Sequence, residues 1–228
     1  MSTRSQSRAS RAEMLDTHGY HSLSELGENL DDMARLDRWL GAFDDLVRLA
    51  RLHEVRTALD VGVGSGAFIA YARLFAPQVA WTALDVSRDV LTISRVCTGE
   101  TARVQARAQQ LPFANAAFDL VTCAHTLHHQ DETGARLLLR ECARVASRRI
   151  VILDLARSQL TYVGARILTR LISRNRLTRS DGPQSALNAY TAPEALALAR
   201  SAGLAGATIF QPWPFRFALV FVGSGPAV

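Results

Sequence analysis

Three groups of residues in this chain are of types and spacings that could do chemistry. The first is Leu59-Asp-Val-Gly-Val-Gly-Ser-Gly66, an apolar run that leads straight into closely spaced glycines. Glycines at such a place let the backbone turn tightly and approach a ligand, and a helix that follows offers free N–H groups to an anion. A nucleotide-containing ligand is implied. The second is Asp85, nineteen residues beyond Gly66 and at the end of another apolar run, where a carboxylate can accept two ribose hydroxyls. The third is a set of histidines, His125, His128 and His129, just past the apolar run Phe118–Ala124. Imidazole titrates near neutrality, so His125 and His128 are the candidate general bases. The competing reading is structural: His125 packs beside the ligand, and His128 or His129 caps the next helix or is solvated. Cys97, Cys123 and Cys142 form no CxxC pair, so neither a disulfide framework nor a metal cluster is expected. Cys123 reads as strand core.

These residues need a scaffold, and the apolar rhythm supplies one. Short apolar runs fall at Thr57–Val61, Val79–Leu84, Ala102–Ala106, Phe118–Ala124, Ile150–Leu155, Ala207–Gln211 and Arg216–Val222. Helical periodicity fills the gaps at Ala67–Phe75, Ser87–Cys97, Thr133–Ala146 and Thr191–Ala202. Strands alternating with helices predict an α/β fold, a doubly wound and mostly parallel sheet with helices on both faces. The last two runs are joined only by Pro212-Trp-Pro-Phe215, too short for a crossover helix, so they should be antiparallel neighbours.

Three segments lie outside that alternation. Residues 1–21 read as a disordered basic tail. Residues 22–55 read as a helical cap, opened by Ser22 and Glu25 at capping-box spacing and carrying Leu30, Met33, Leu36, Trp39, Leu40 and Phe43 at three- and four-residue intervals. Within the main domain, 56–223, the stretch 156–190 is an insertion of the kind that serves as a lid or substrate element. It divides into an amphipathic helix over 162–176, with Arg166, Arg170 and Arg174 four apart, and turn chemistry at Ser180-Asp-Gly-Pro-Gln-Ser185. The helix reads as a lid first and as a shallow membrane contact second.

With 228 residues, 48% hydrophobic and 21% charged, the chain fits one globular domain and excludes a disordered or fibrous one. All 26 basic residues are arginine, and a net charge of +5 is a weak signal for an anionic partner. The apolar stretch Phe217–Val222 is far below the ~20 residues of a membrane span, and the first residues lack a signal-peptide core. No integral membrane segment and a cytoplasmic location are therefore expected.

The segment Leu111-Pro-Phe-Ala-Asn-Ala-Ala-Phe-Asp-Leu-Val-Thr-Cys-Ala-His-Thr-Leu-His-His129, taken with the glycine turn and Asp85, resembles the class I S-adenosylmethionine-dependent methyltransferases. The likeness is to the branch of quinone-biosynthesis and small-molecule enzymes, and it covers roughly residues 56 to 223. It implies a seven-stranded sheet with an antiparallel last strand. It also implies that Asp60, Gly62, Gly64 and Gly66 surround the methionine part of S-adenosylmethionine, that Asp85 binds the ribose with Val86 against the adenine, and that Ala108 and Gln109 line the adenine edge beside His125. One departure stands out: where the branch usually has an Asp, two residues before Gln109, this chain has Arg107. A guanidinium cannot accept the adenine amino proton.

The resemblance implies methyl transfer to a small hydrophobic or aromatic acceptor, at a hydroxyl or ring carbon of a quinol, polyketide or other product of secondary metabolism. Trp39, Phe43, Tyr162 and Trp213 are the aromatic residues expected around it. Enzymes that methylate amino groups of nucleic acid bases generally carry an Asn/Asp-Pro-Pro-Tyr/Phe turn where this chain reads Cys123-Ala-His-Thr, so the partner is a small molecule and not nucleic acid. A homodimer is compatible with the sequence. Two rival readings remain open. Gly62, Gly64 and Ala67 also satisfy GxGxxG/A, the fingerprint of a nicotinamide-dependent oxidoreductase using NAD or NADP, and Arg107 would suit a noncatalytic S-adenosylmethionine-binding protein.

Overall fold

The structure is a computed structural model that describes residue 8 and residues 11–223. Its centre is a sheet of seven strands: β1 Thr57–Val61, β2 Ala80–Asp85, β3 Ala102–Gln105, β4 Phe118–Ala124, β5 Ala146–Leu155, β6 Thr208–Phe210 and β7 Arg216–Val222. Their order is β3-β2-β1-β4-β5-β7-β6. All pairs from β3 to β5 are parallel, and β7 runs antiparallel between β5 and β6. The expected fold class and the terminal hairpin are both present. Parallel strands covered on both faces need apolar side chains on both, and Phe118–Cys123 and Ile150–Asp154 are buried almost throughout.

Helices α3 Ala67–Arg73, α4 Arg88–Thr98, α5 Glu132–Val145 and α8 Ala192–Ser201 flank the sheet. Their starts follow local chemistry. Ser87, Asp131 and Thr191 each accept a hydrogen bond from a backbone N–H in the first turn, and Thr191 forms a full capping box with Glu194. Two apolar cores result. One lies between β1, β4, β5, β7 and the pair α5 and α8, and the other packs on the opposite face beneath α3 and the N-terminal helices.

Over the carboxyl edge of the sheet sits a cap built from two distant parts of the chain. Helix α1 Leu23–Trp39 comes before β1, and α6 Gln159–Ile172 and α7 Arg176–Asn188 follow β5. Helix α2 Ala42–Ala50, also before β1, packs instead on the sheet face in the second core. A buried polar seam joins α1 to α7. The Thr178 hydroxyl donates to Asp32 Oδ2 at 3.0 Å and accepts from Asn29 Nδ2 at 3.1 Å, while Asn175 Nδ2 donates to the Glu25 carbonyl at 2.8 Å.

Two expectations are corrected here. The Ser180–Ser185 stretch is not a turn but lies inside α7, despite Pro183. Asn175 caps this helix, and Gly182 packs so closely on Thr169 of α6 that a Cβ would sit 2.5 Å from its methyl group. Tertiary burial thus overrides the local turn preference. The stretch 11–21 is not a free tail either. Asp181 of α7 accepts the backbone N–H groups of Met14 and Leu15, each at 3.0 Å, Glu13 is buried, and Arg8 donates to the carbonyls of Asn188 and His128. The rest of the expected tail, residues 1–7, 9 and 10, lies outside the described residues.

Replacing Thr178 by Val leaves Asp32 and Asn29 buried without their shared partner. We expect a loss of about 1–3 kcal/mol in unfolding free energy, read by denaturant titration, with no loss from the same change at exposed Thr92.

Candidate functional site

Because β1, β2, β4 and β5 are parallel and in register, their carboxyl ends meet at one edge, with β1 and β4 adjacent where the strand order reverses. Ligands of open α/β sheets bind at that crevice. A cavity of about 890 Å³ opens there and runs without a break under the cap.

At one end of the cavity lies the glycine turn. The Gly62 and Val63 N–H groups both donate to the Leu84 carbonyl, at 2.8 and 3.1 Å, which fixes the turn to the end of β2. Gly62 and Gly64 are left-handed, with φ of 76° and 54°. A Cβ on Gly62 would strike Thr126 Oγ1 at 2.1 Å, whereas one on Gly64 would meet nothing within 4 Å and would project into open space. Gly64 therefore leaves room for a ligand against bare backbone. Gly66 differs from the expectation. It does not line the cavity, and a side chain there would collide with Thr98 and Ser94 of α4, so this glycine serves helix packing.

Asp85 ends β2 half-buried at the cavity and accepts the Ser87 N–H at 2.9 Å, and burial raises its pKa to about 6. Asp60 is buried deeper and accepts the Thr122 hydroxyl at 2.7 Å, and desolvation lifts its pKa to about 7. A carboxylate so placed is ready for a cationic group, which would draw its pKa back down. Val86, Ala108 and Gln109 line the same end. The Gln109 amide is engaged with the Gln130 side chain, and Arg107 is exposed at the rim.

The other end carries the histidines. His128, only 4% exposed, has its Nδ1 2.6 Å from Asp154 Oδ1, and its backbone N–H donates to Asp154 Oδ2 at 3.1 Å. Its Nε2 lies 3.6 Å from Glu13 Oε1. Burial alone would raise the Asp154 pKa, but His128 outweighs it and holds this carboxyl at about 2. His125 follows β4 in a left-handed conformation, φ 51°, with Nε2 2.9 Å from Asp37 Oδ1 but outside hydrogen-bond alignment. Burial opposes its charge, yet Asp37 and Asp154 prevail and its pKa is raised. His129 is pulled aside to Asp16 at 3.0 Å.

Around these groups the lining is apolar, from Leu26, Leu30, Met33 and Phe43 on one side to Leu168 and Phe215 on the other. Of the aromatic residues expected near an acceptor, Phe43 is there. Trp39 and Trp213 are on the surface, and Tyr162 does not line the cavity. The sequence reading did not single out Asp37, Asp154, Glu13 or Asp16. Asp154 could have been found by the rule that leads to Asp85, since it stands at the end of a parallel strand, but the other three approach from remote segments.

The comparisons with known proteins agree with this geometry. Residues 59–152 match the family model described as a methyltransferase domain. Over 99 residues the chain is 33% identical to the demethylmenaquinone methyltransferase of Thermotoga maritima, an alignment that spans 42% of each chain. In fold it resembles an O-methyltransferase family protein from Burkholderia thailandensis (TM-score 0.71, 18% identity, 94% of this chain and 64% of that one). It also resembles human N-acetylserotonin methyltransferase (TM-score 0.67, 19% identity, 94% and 60%). A methyltransferase from Aquifex aeolicus matches at TM-score 0.61 and 18% identity over 89% of this chain and 99% of that one. The chain thus spans less than two thirds of several of the proteins it resembles. Residues 59–152 thus match a methyltransferase domain, set in a fold similar to those of known methyltransferases.

A pH effect follows from His129. Burial disfavours its charged form, but the hydrogen bond to Asp16 and the charges of Glu13, Asp16 and Asp154 raise its pKa to about 9. Its contribution to stability is complete below the unfolded value of about 6.5 and disappears as pH rises through about 9. Urea midpoints should therefore fall between neutrality and the upper value, and the fall should be shallower in His129→Gln. Equal slopes would rule out this histidine as the source.

Proposed function

We propose that this chain binds S-adenosylmethionine at the glycine end of the cavity and methylates a hydroxyl group on a small hydrophobic or aromatic acceptor held at the histidine end. The observation that carries the reading is the continuity of the cavity. One unbroken space joins Gly64 and Asp85 to His125, His128 and an apolar chamber. The dinucleotide alternative loses support from topology. An antiparallel β7 lies between β5 and β6, whereas the dinucleotide fold runs its sixth strand directly beside the fifth.

When bound, S-adenosylmethionine supplies a methyl group activated by its sulfonium. The protein's own task is alignment, which can contribute roughly 7–11 kcal/mol. In this reading Asp85 accepts the two ribose hydroxyls, Asp60 faces the ammonium end, and the bare backbone at Gly64 admits the ligand. Leu26, Leu30, Phe43 and Phe215 keep water from the acceptor.

His128 is the favoured general base over His125. Its Nδ1 lies 2.6 Å from Asp154, which in this reading orients Nε2 as the atom that takes a hydroxyl proton, and Asp154 stays ionised as that charge develops. His125 has its Nε2 closer to a carboxylate, 2.9 Å from Asp37 against 3.6 Å between His128 and Glu13, and has no carboxylate on its Nδ1 among the described residues. Glu13 covers Nε2 of His128, so the acceptor must displace or share this contact. The base favours a hydroxyl over a ring carbon, and the enclosed apolar chamber suits a small molecule better than nucleic acid. The three free thiols fit a reducing, cytoplasmic setting.

S-Adenosylhomocysteine should raise the melting temperature and NAD or NADP should not, and Asp85→Ala should weaken that binding about tenfold or more. With labelled S-adenosylmethionine and a panel of phenolic acceptors, His128→Gln and Asp154→Asn should lower turnover by about 10²–10⁴ at unchanged cofactor affinity. Full turnover in both would remove the dyad from the reaction.

A further inference from the structure

The outer face of α6 carries a row of exposed apolar side chains. Leu160 is 65% exposed and Leu171 76%, with Val163 and Ile167 exposed between them, so four large aliphatic side chains run along one side of the helix. The loop before β7 lies against the same helix: a Cβ on Gly164 would sit 2.7 Å from Phe215, and Trp213, two residues away in that loop, is 85% exposed. Such a contiguous apolar patch marks an interaction surface.

Charge identifies the partner. Between residues 156 and 180 there are six arginines and no Asp or Glu. Arg157 pairs with Glu194 and Arg176 with Glu25. Arg166, Arg170, Arg174 and Arg179 are exposed and form no ion pair among the described residues. The helix has 14 residues, about 21 Å at 1.5 Å per residue, too short to cross a bilayer of ~30 Å. Exposed aliphatics with a flanking arginine row and a tryptophan are the features of a helix that lies in the plane of an anionic membrane surface. A second copy meeting this face through a two-fold axis would bring arginine against arginine.

We propose that the outer face of α6, together with Trp213, docks on an anionic lipid bilayer. The inner face of the same helix presents Ala165, Leu168 and Thr169 to the cavity. An apolar acceptor dissolved in the membrane is then one helix away from the chamber. That last link rests on the methyl-transfer reading, whereas the docking does not.

Flotation of the full chain with vesicles tests this. The protein should float with phosphatidylcholine–phosphatidylglycerol vesicles and not with phosphatidylcholine alone. Each of Arg166→Gln, Arg170→Gln and Arg174→Gln should reduce partitioning about fivefold, and Ile167→Ser with Leu171→Ser should abolish it while the unfolding midpoint stays unchanged. No flotation of the wild type, equal flotation with neutral vesicles, or undiminished binding by the folded variants would overturn the proposal. So would a dimer in sedimentation that the Ile167→Ser/Leu171→Ser change dissolves without any vesicle binding. Flotation without stabilisation by S-adenosylhomocysteine would leave the docking intact and sink the methyl-transfer reading instead.

Discussion

Parallel register is the constraint on which the rest depends. When β1, β2, β4 and β5 run the same way, the residues at their carboxyl ends converge on one edge whatever their separation in sequence. Asp60, Asp85, His125 and Asp154 meet for that reason alone. The backbone groups left unpaired where the strands stop, and the left-handed turn at Gly62 and Gly64, make this edge the polar part of an otherwise apolar molecule. The buried carboxylates there carry raised or depressed pKa values because they lack water and have partners of either sign.

The cap answers a second requirement. An edge of charged groups next to an apolar chamber must be shielded, yet its cover has to be held on without sealing the chamber with apolar contacts. The Asp32–Thr178–Asn29 seam and the Asp181 contacts to Met14 and Leu15 do this with directional bonds between α1, α7 and the N-terminal stretch. Polar fastening of this kind depends on geometry more than on area, and it places Glu13 and Asp16 over the histidines.

Much of this was legible in the amino-acid order. Glycines after an apolar run, an aspartate closing the next run and a hairpin too short for a crossover all have local physical causes, so the sheet, its antiparallel end, the glycine turn and Asp85 could be read directly, whereas Asp60 came only through the family resemblance. What could not be read depends on distance. The preference of Ser180–Ser185 for a turn is real but is overruled by burial against α1 and α6. Glu13 and Asp37 look like ordinary surface acids until folding brings them to His128 and His125. Gly66 was assigned to the ligand, because nothing in its neighbours reveals that α4 presses on it.

The division between sheet edge and cap also bears on how such a protein can change. The groups at the glycine end belong to strands whose positions are shared by the whole core, so altering them disturbs everything. Of the chamber wall, the α1 side shares Leu26 and Leu30 with the second core, whereas the cavity-facing residues of α6 belong to neither core. The α6 side of the chamber can therefore be redrawn with least disturbance to the core, and the glycine end left as it was.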